Sequence, residues 1–237
     1  MSVAIVTGGS AGIGLAIVRE LLGQKYQVIS LDLKPNPEKR VKHMAVDLTD
    51  PKATEWAAKE IAKAHPVTTL IHNAGAIRPA LLPEVKVEDL NALVHLHLSA
   101  AVILLQACLP AMRAAGFGRV VLVSSRAVLG LPTRTSYSAT KAGMLGMART
   151  WALELAPQGI TVNVVAPGPI ETDNFHGIIP RGSPQVEKVT QSIPVKRLGQ
   201  PADVARAVLF FAHRDNGFVT GQVLYVCGGT SVGTLTL

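Results

Sequence analysis

The chain has 237 residues, 48% of them hydrophobic and 16% charged, a balance that suits a globular protein with a large core and excludes a disordered or fibrous one. The formal net charge of +7 raises nucleic acid as a partner, but Lys and Arg are scattered from Arg19 to Arg214 and aromatic residues make up only 4%. A stacking platform for bases needs more rings, so the expected pull of the positive charge is on an anionic small molecule, with no nucleic acid as partner.

The opening stretch, Met1 to Gly14, enters a strand-like run directly, with no basic segment, long apolar stretch or cleavage site, so no secretory signal is expected. Gly, Pro or charges interrupt each apolar run before it reaches spanning length, and the protein is read as cytoplasmic, with no membrane partner. Cys108 and Cys227 lie far apart and match no metal-ligand spacing; two buried, reduced thiols and no metal are expected.

In chain order, Val3–Val6, Val28–Leu31, Met44–Val46, Thr68–Ile71, Val120–Val123, Thr161–Val165 and Val223–Val226 are short, apolar and β-branched, and read as strands. Between them, Gly12–Leu22, Pro51–Ala64, Val87–Ala115, Ser136–Ala156 and Pro201–Ala212 read as helices, each opening near Ser, Asp or Pro and closing near Gly or Pro. Buried strands alternating with helices require a parallel sheet, here a doubly wound α/β sheet of seven strands with helices on both faces. With no linker and no repeat, residues 1–237 are expected to form a single Rossmann-like domain. The second and third strands are joined only by Leu33 to His43, with Pro35 and Pro37, which predicts an irregular loop where a crossover helix is usual.

Thr7-Gly8-Gly9-Ser10-Ala11-Gly12-Ile13-Gly14 follows the first strand and opens the first helix. In that place Gly8 permits the tight turn, Gly12 lets backbone N–H groups approach a pyrophosphate, and Gly14 lets the helix pack on the strand. Asp32 ends the second strand, where a carboxylate accepts hydrogen bonds from both ribose hydroxyls and repels a 2′-phosphate, which favours NAD over NADP. Ala11 brings no basic residue to the turn, while Lys34 and Arg40 keep NADP open. Asp47 is placed either to hold the adenine amino group or simply as a turn or capping residue before Pro51.

Tyr137 and Lys141 stand four apart, on one face of a helix. A phenol with a reference pKa of about 10 is a poor acid–base catalyst at neutral pH, but a nearby ammonium and a cationic nicotinamide favour the phenolate. Tyr137 can then exchange a proton with an alcohol or ketone as hydride moves.

The glycine turn, Asn73-Ala74-Gly75 after the fourth strand, Ser124-Ser125 after the fifth, Tyr137 with Lys141, and Pro167-Gly168 after the sixth together resemble the short-chain dehydrogenase/reductase family over nearly the whole chain. The resemblance implies a nicotinamide-dependent oxidoreductase acting on secondary alcohols or ketones, commonly a tetramer; a homo-oligomer, tetramer or dimer, is the expected assembly. It also implies a serine that polarises the substrate oxygen. Counting from Arg119 selects Ser125 and counting back from Tyr137 selects Ser124; strand register favours Ser125. Aligning Leu104-Leu105-Gln106-Ala107 puts His97 where the family has an Asn whose backbone holds a proton-relay water. His97 can keep that backbone contact, be a satisfied interior histidine, or titrate near neutral pH and join the relay, in that order.

The contacts implied for the cofactor are Gly8, Ser10, Gly12, Ile13 and Gly14 in the turn, Asp32, Asp47 and Leu48 around the adenosine, and Asn73, Ala74 and Gly75 beneath the ribose. Tyr137, Lys141, Pro167, Gly168, Ile170 and Thr172 complete the set at the nicotinamide end. His72 replaces the family's commoner Asn and is read as packing, and Cys227, where the family has Asp, as core. Residues 173–195 are the expected substrate lid, carrying His176 and Arg181; with Arg78, Arg126 and Arg134 nearby they leave a carboxylated or thioester-linked substrate open. The leading expectation is an NAD-dependent dehydrogenase of a cyclic or medium-sized secondary alcohol. The alternatives are a 3-oxoacyl-thioester reductase and, less favoured, a nucleotide-sensing regulator without turnover.

Overall fold

A computed structural model describes residues 2–232. Its centre is one parallel sheet of β1 (Val3–Thr7), β2 (Gln27–Asp32), β3 (Lys42–Ala45), β4 (Val67–His72), β5 (Gly118–Val123), β6 (Ile160–Pro167) and β7 (Val223–Val226), in the order β3-β2-β1-β4-β5-β6-β7. β1, β5 and β6 are buried along their whole length, and their sequences are mostly apolar, with Arg119, Thr161 and Asn163 buried among them.

The helices α1 (Gly12–Gly23) and α8 (Pro201–Ala212) cover one face. The other face carries α2 (Pro51–Ala64), α3 (Val87–Val94), α4 (Ala100–Ala115) and α5 (Thr135–Leu155). Ile17, Val18, Leu21, Val204 and Val208 pack on the first side; Leu93, Leu104, Met112 and Met144 pack on the second. Asp50 caps α2 by accepting from Lys52 N–H and Ala53 N–H, and Pro51 at the first helical position fixes the start. The connection from Leu33 to Val41 is irregular, as its prolines predict.

The helical run Val87–Ala115 departs from the sequence reading twice. It is interrupted by a π turn, His95–Ser99, between α3 and α4. It is also long and apolar enough to cross a membrane by composition, contrary to the expectation that no run reaches that length. Its apolar side faces β4 and β5, where Leu104, Leu105, Cys108 and Met112 are buried.

Chain direction across the sheet reverses between β1 and β4, and ligands of open parallel sheets lie beyond the carboxyl ends of the strands at such a switch point. Here that edge holds the glycine turn, the Asn73–Gly75 segment, Ser124-Ser125 and Pro167-Gly168. The segment after β6 contains two helices that its sequence pattern left unassigned, α6 (Asp173–His176) and α7 (Pro184–Ser192).

Candidate active site

At the switch point the side chains are organised by Thr7. Its hydroxyl accepts from Asn73 N–H and Ala74 N–H, both at 2.9 Å, so its own hydrogen goes to Nδ1 of His72 at 3.0 Å. Nε2 of His72 then donates to the Leu96 carbonyl at 3.0 Å, linking β1, β4 and the π turn. Burial and the Lys141 charge lower the His72 imidazole to about 3, so this histidine is neutral and fixed as one tautomer. Its role is more specific than packing. The Asn73 amide donates to the Thr7 and Gly8 carbonyls, holding the glycine turn against β4.

Within the turn Gly8 has φ +64, a conformation that favours glycine. A Cβ on Gly14 would run into the Gly8 carbonyl and the Asn73 amide, so α1 can start this close to the turn only as glycine. The N-terminus of α1 has no side-chain cap and no acidic residue in its first turn. Its free N–H groups point to an anion, and a pyrophosphate fits them. Thr172 lies across the turn, its methyl 3.3 Å from where a Cβ on Gly12 would stand, while its hydroxyl caps α6 by accepting from Phe175 N–H. Ile13 is half-buried, and Ala74 and Leu48 are buried close by.

Asp32 is fixed at the end of β2, accepting from Ser10 N–H and Lys34 N–H, both at 3.0 Å. The Ser10 hydroxyl donates to the Lys34 carbonyl and the Asn36 amide to the Gly9 carbonyl, so the irregular loop is stitched to the glycine turn. Asp47 is exposed and accepts from both the N–H and the hydroxyl of Thr49, a turn contact that leaves one carboxylate oxygen free. At the other end of the edge, Gly168 packs against the Cys227 backbone and Ile170 is buried against Gly199. Burial raises the Cys227 thiol, but hydrogen bonds from Ser231, Thr230 and two backbone N–H groups outweigh it and leave it below its ordinary value.

The two serines after β5 separate cleanly. Ser124 is buried and donates to the Lys141 carbonyl at 2.8 Å, pinning α5 to the strand. Ser125 is half-buried and accepts from Ala127 N–H, and its hydroxyl is close enough to the Tyr137 phenol to act on it. Burial is the larger influence on Tyr137 and raises the phenol above its ordinary value; Ser125 and the Arg134 charge offset part of this. Lys141 is buried, donates to the Val123 carbonyl at 2.8 Å, and burial alone brings its ammonium down to about 7. Its nitrogen lies 5.8 Å from the centre of the Tyr137 ring.

His97 projects inward from the π turn, edge-on to Tyr137 at 5.7 Å between ring centres. π turns recur at functional sites because the extra residue re-aims side chains. The Thr140 hydroxyl gives its hydrogen to the Ser136 or Tyr137 carbonyl, so Nδ1–H of His97 donates to Thr140 at 2.8 Å and Nε2 accepts from Ala76 N–H. Burial, then the charge of Lys141, holds the imidazole far below its ordinary value. This direction supports the reading of His97 as a satisfied interior histidine over the relay reading. Nε2 of His97 and Nζ of Lys141 both lie within 3.3 Å of the point where a Cβ on Gly75 would stand, so Gly75 leaves the space between them open.

Sequence reasoning missed Thr7 as the hub of this site. The one available signal is its position, a hydroxyl at the last residue of a strand immediately before the turn.

The chain matches a family model described as enoyl-(acyl carrier protein) reductase over residues 8–231. It is 35% identical to a 3-oxoacyl-[acyl-carrier-protein] reductase of Rickettsia bellii, with 95% of each chain covered. It is 36% identical to a (2S)-[(R)-hydroxy(phenyl)methyl]succinyl-CoA dehydrogenase subunit of Thauera aromatica, covering 97% of this chain and 94% of the other. Among solved structures, a putative NAD(P)-dependent gluconate 5-dehydrogenase from Beutenbergia cavernae with bound NADP superposes with a TM-score of 0.91 at 30% identity, covering 98% of this chain and 97% of that one.

Proposed function

The chain belongs to the short-chain dehydrogenase/reductase family, and from that premise we propose that it interconverts a secondary alcohol, cyclic or medium-sized, and its ketone, with Tyr137 as acid and base. It is an NAD(P)-dependent oxidoreductase. The observation that carries the finer reading is the meeting of the Ser125 hydroxyl, the Tyr137 phenol and the Lys141 ammonium at one end of β5, beside the open space at Gly75. Two hydroxyls placed to meet a single substrate oxygen suit chemistry at C–O rather than the C=C reduction of an enoyl reductase.

When bound, the nicotinamide supplies the acceptor or donor of hydride. The free N–H groups of α1, with Gly8, Ser10, Gly12, Ile13 and Gly14, would hold the pyrophosphate; Asn73, Ala74 and Gly75 would lie along the ribose; Pro167, Gly168, Ile170 and Thr172 would orient the carboxamide end. Ser125 donates to the substrate oxygen. Tyr137 Oη takes the alcohol proton in oxidation and returns it in reduction. Lys141, with a pKa brought near neutrality, alternates between charge states at working pH and lowers the cost of the phenolate. His97 stays neutral and positions Thr140 and the first turn of α5; residues 173–195 close over the substrate.

NAD is the nucleotide favoured by Asp32, whose carboxylate, fixed at the end of β2, would repel a 2′-phosphate. NADP has its own support: the structurally similar gluconate 5-dehydrogenase carries it, and among the described residues Lys34 and Arg40 have no carboxylate within 4.0 Å. A second reading, reduction of a 3-oxoacyl thioester, is favoured by the Rickettsia bellii relative. The protein acts on a small molecule in the cytoplasm as a homo-oligomer, tetramer or dimer, consistent with the exposed Leu153, Phe218 and Leu224.

The test is a screen of secondary alcohols with NAD and NADP and of acetoacetyl-CoA with both reduced forms, following absorbance of the reduced cofactor. Alcohol oxidation with kcat/KM about tenfold higher for NAD is expected. Faster reduction of the thioester than of any simple ketone would move the assignment to the second reading. Absence of turnover despite bound cofactor would contradict both and leave a sensor.

A further inference from the structure

Arg134 is buried, 9% exposed, at the position that opens α5, three residues before Tyr137. Residues three apart share a helix face, and the charge of Arg134 is felt at the phenol. The only hydrogen-bond acceptors of its side chain among the described residues are the carbonyl and hydroxyl of its neighbour Thr133, both reached by Nη1. The other N–H groups of the fork have no protein acceptor, and no carboxylate lies within 4.0 Å among the described residues.

The other arginines show what this protein does with a guanidinium that has only a structural task. Arg119, also buried, donates to the carbonyls of Gly118, Gly159, His213 and Arg214 and lies over the Phe117 ring. Around the cleft, Arg78 pairs with Asp89, Arg126 donates to the Thr230 carbonyl, and Arg181 of the lid pairs with Asp173. Arg134 alone of these has a largely buried stem and, among the described residues, no carboxylate partner, with the free N–H groups of its fork left to solvent. The backbone before it is held at a cost. Thr133, a β-branched residue, sits at φ +66, in the left-handed region, with its carbonyl accepting from Ala80 N–H. Backbone strain of this kind persists where neighbouring contacts impose it, commonly at ligand clamps.

We propose that Arg134 determines substrate specificity by clamping a carboxylate that the substrate carries within a few bonds of the reacting carbinol. The planar fork of a guanidinium matches a carboxylate in two parallel hydrogen bonds, and burial strengthens them. The substrate class is then a hydroxy acid or keto acid. This rests on the dehydrogenase reading above, and the experiment separates the two.

Parent enzyme, R134Q and R134K are compared on 3-hydroxycyclohexanecarboxylate and its methyl ester, on the flat part of the pH profile so that loss of the charge beside Tyr137 does not enter. The parent should prefer the acid; R134Q should raise KM for the acid about 30-fold while changing kcat/KM for the ester less than about threefold, and R134K should recover part of the loss. In parallel, the hydroxy acid is titrated into the complex of each protein with the reduced cofactor, where no reaction occurs. Its affinity should fall by a similar factor in R134Q, with the melting temperature unchanged or raised. A parent that prefers the ester, equal losses for acid and ester, or a melting temperature lowered by more than about 5 °C would overturn the proposal and make Arg134 structural. Arg134-dependent binding of the acid without turnover of any alcohol would keep the carboxylate clamp and overturn the dehydrogenase reading alone.

Discussion

The two halves of the cleft treat their polar groups in opposite ways. On the β1–β4 side the groups that hold the glycine turn are each matched: Thr7 makes three hydrogen bonds, His72 two, Asn73 three, and Asp32 accepts from two backbone N–H groups. On the β5–α5 side, Lys141 has one carbonyl oxygen and a thioether, the Arg134 fork only its neighbour, and Tyr137 is half-buried with its phenol raised. Matched hydrogen bonds make a rigid seat for a nucleotide, whereas under-satisfied charges keep protons transferable. Stability should therefore be concentrated on the first side and activity on the second.

The sharpest way to break this contrast is Lys141→Met, which keeps the volume and removes the charge. Turnover should fall about 10³-fold while the melting temperature holds or rises, because a desolvated ammonium is lost. A clear drop in melting temperature would put Lys141 on the structural side instead. The complementary change, Thr7→Val, strands two backbone N–H donors and the His72 acceptor. Chemical unfolding should show about 3 kcal/mol of destabilisation, against about 1 kcal/mol for Ser124→Ala, where one hydrogen bond to the α5 backbone goes.

The same contrast predicts a pH dependence. His72 is lowered to about 3 in the folded protein from an ordinary value of 6.5, so between those limits the unfolded chain binds a proton that the native state refuses. Stability contributed by neutral His72 is full above pH 6.5 and is lost as pH falls, by about 1.4 kcal/mol per unit below about pH 6. His97 shifts in the same direction. Unfolding in urea at successive pH values should show the two slopes added, and His72→Gln should remove about half; a flat parent profile would contradict the neutral, buried assignment. The smallest effect is expected at the adenosine end, where Asp32→Ala should raise the NADP to NAD ratio of kcat/KM about tenfold and cost about 1 kcal/mol through its two lost N–H partners.

Much of the fold was legible because it depends on pattern. Continuous apolar β-branched runs marked all seven strands to within a residue or two, and Pro51 and Pro201 marked two helix starts. The motif positions were legible because Gly8, Gly14, Tyr137 and Lys141 are tied to strand–helix junctions. What could not be read depends on contacts between segments distant in sequence. Nothing local tells that Thr7 bonds to His72, or that the Val87–Ala115 run widens at His95 to aim His97 at Tyr137. Ser183-Pro184, by contrast, was a start signal for α7 that the mixed composition of the segment obscured. Arg78, Arg126 and Arg134 looked equivalent in sequence and differ only through burial and the partners that folding provides.

The central claim concerns the proton on Tyr137, and Tyr137→Phe tests it most directly. Cofactor affinity, measured by fluorescence titration, should stay within about twofold of the parent, while single-turnover hydride transfer from a secondary alcohol falls at least about 10³-fold. A variant that retains hydride transfer within about tenfold of the parent, with the cofactor bound, would contradict the assignment of Tyr137 as acid and base.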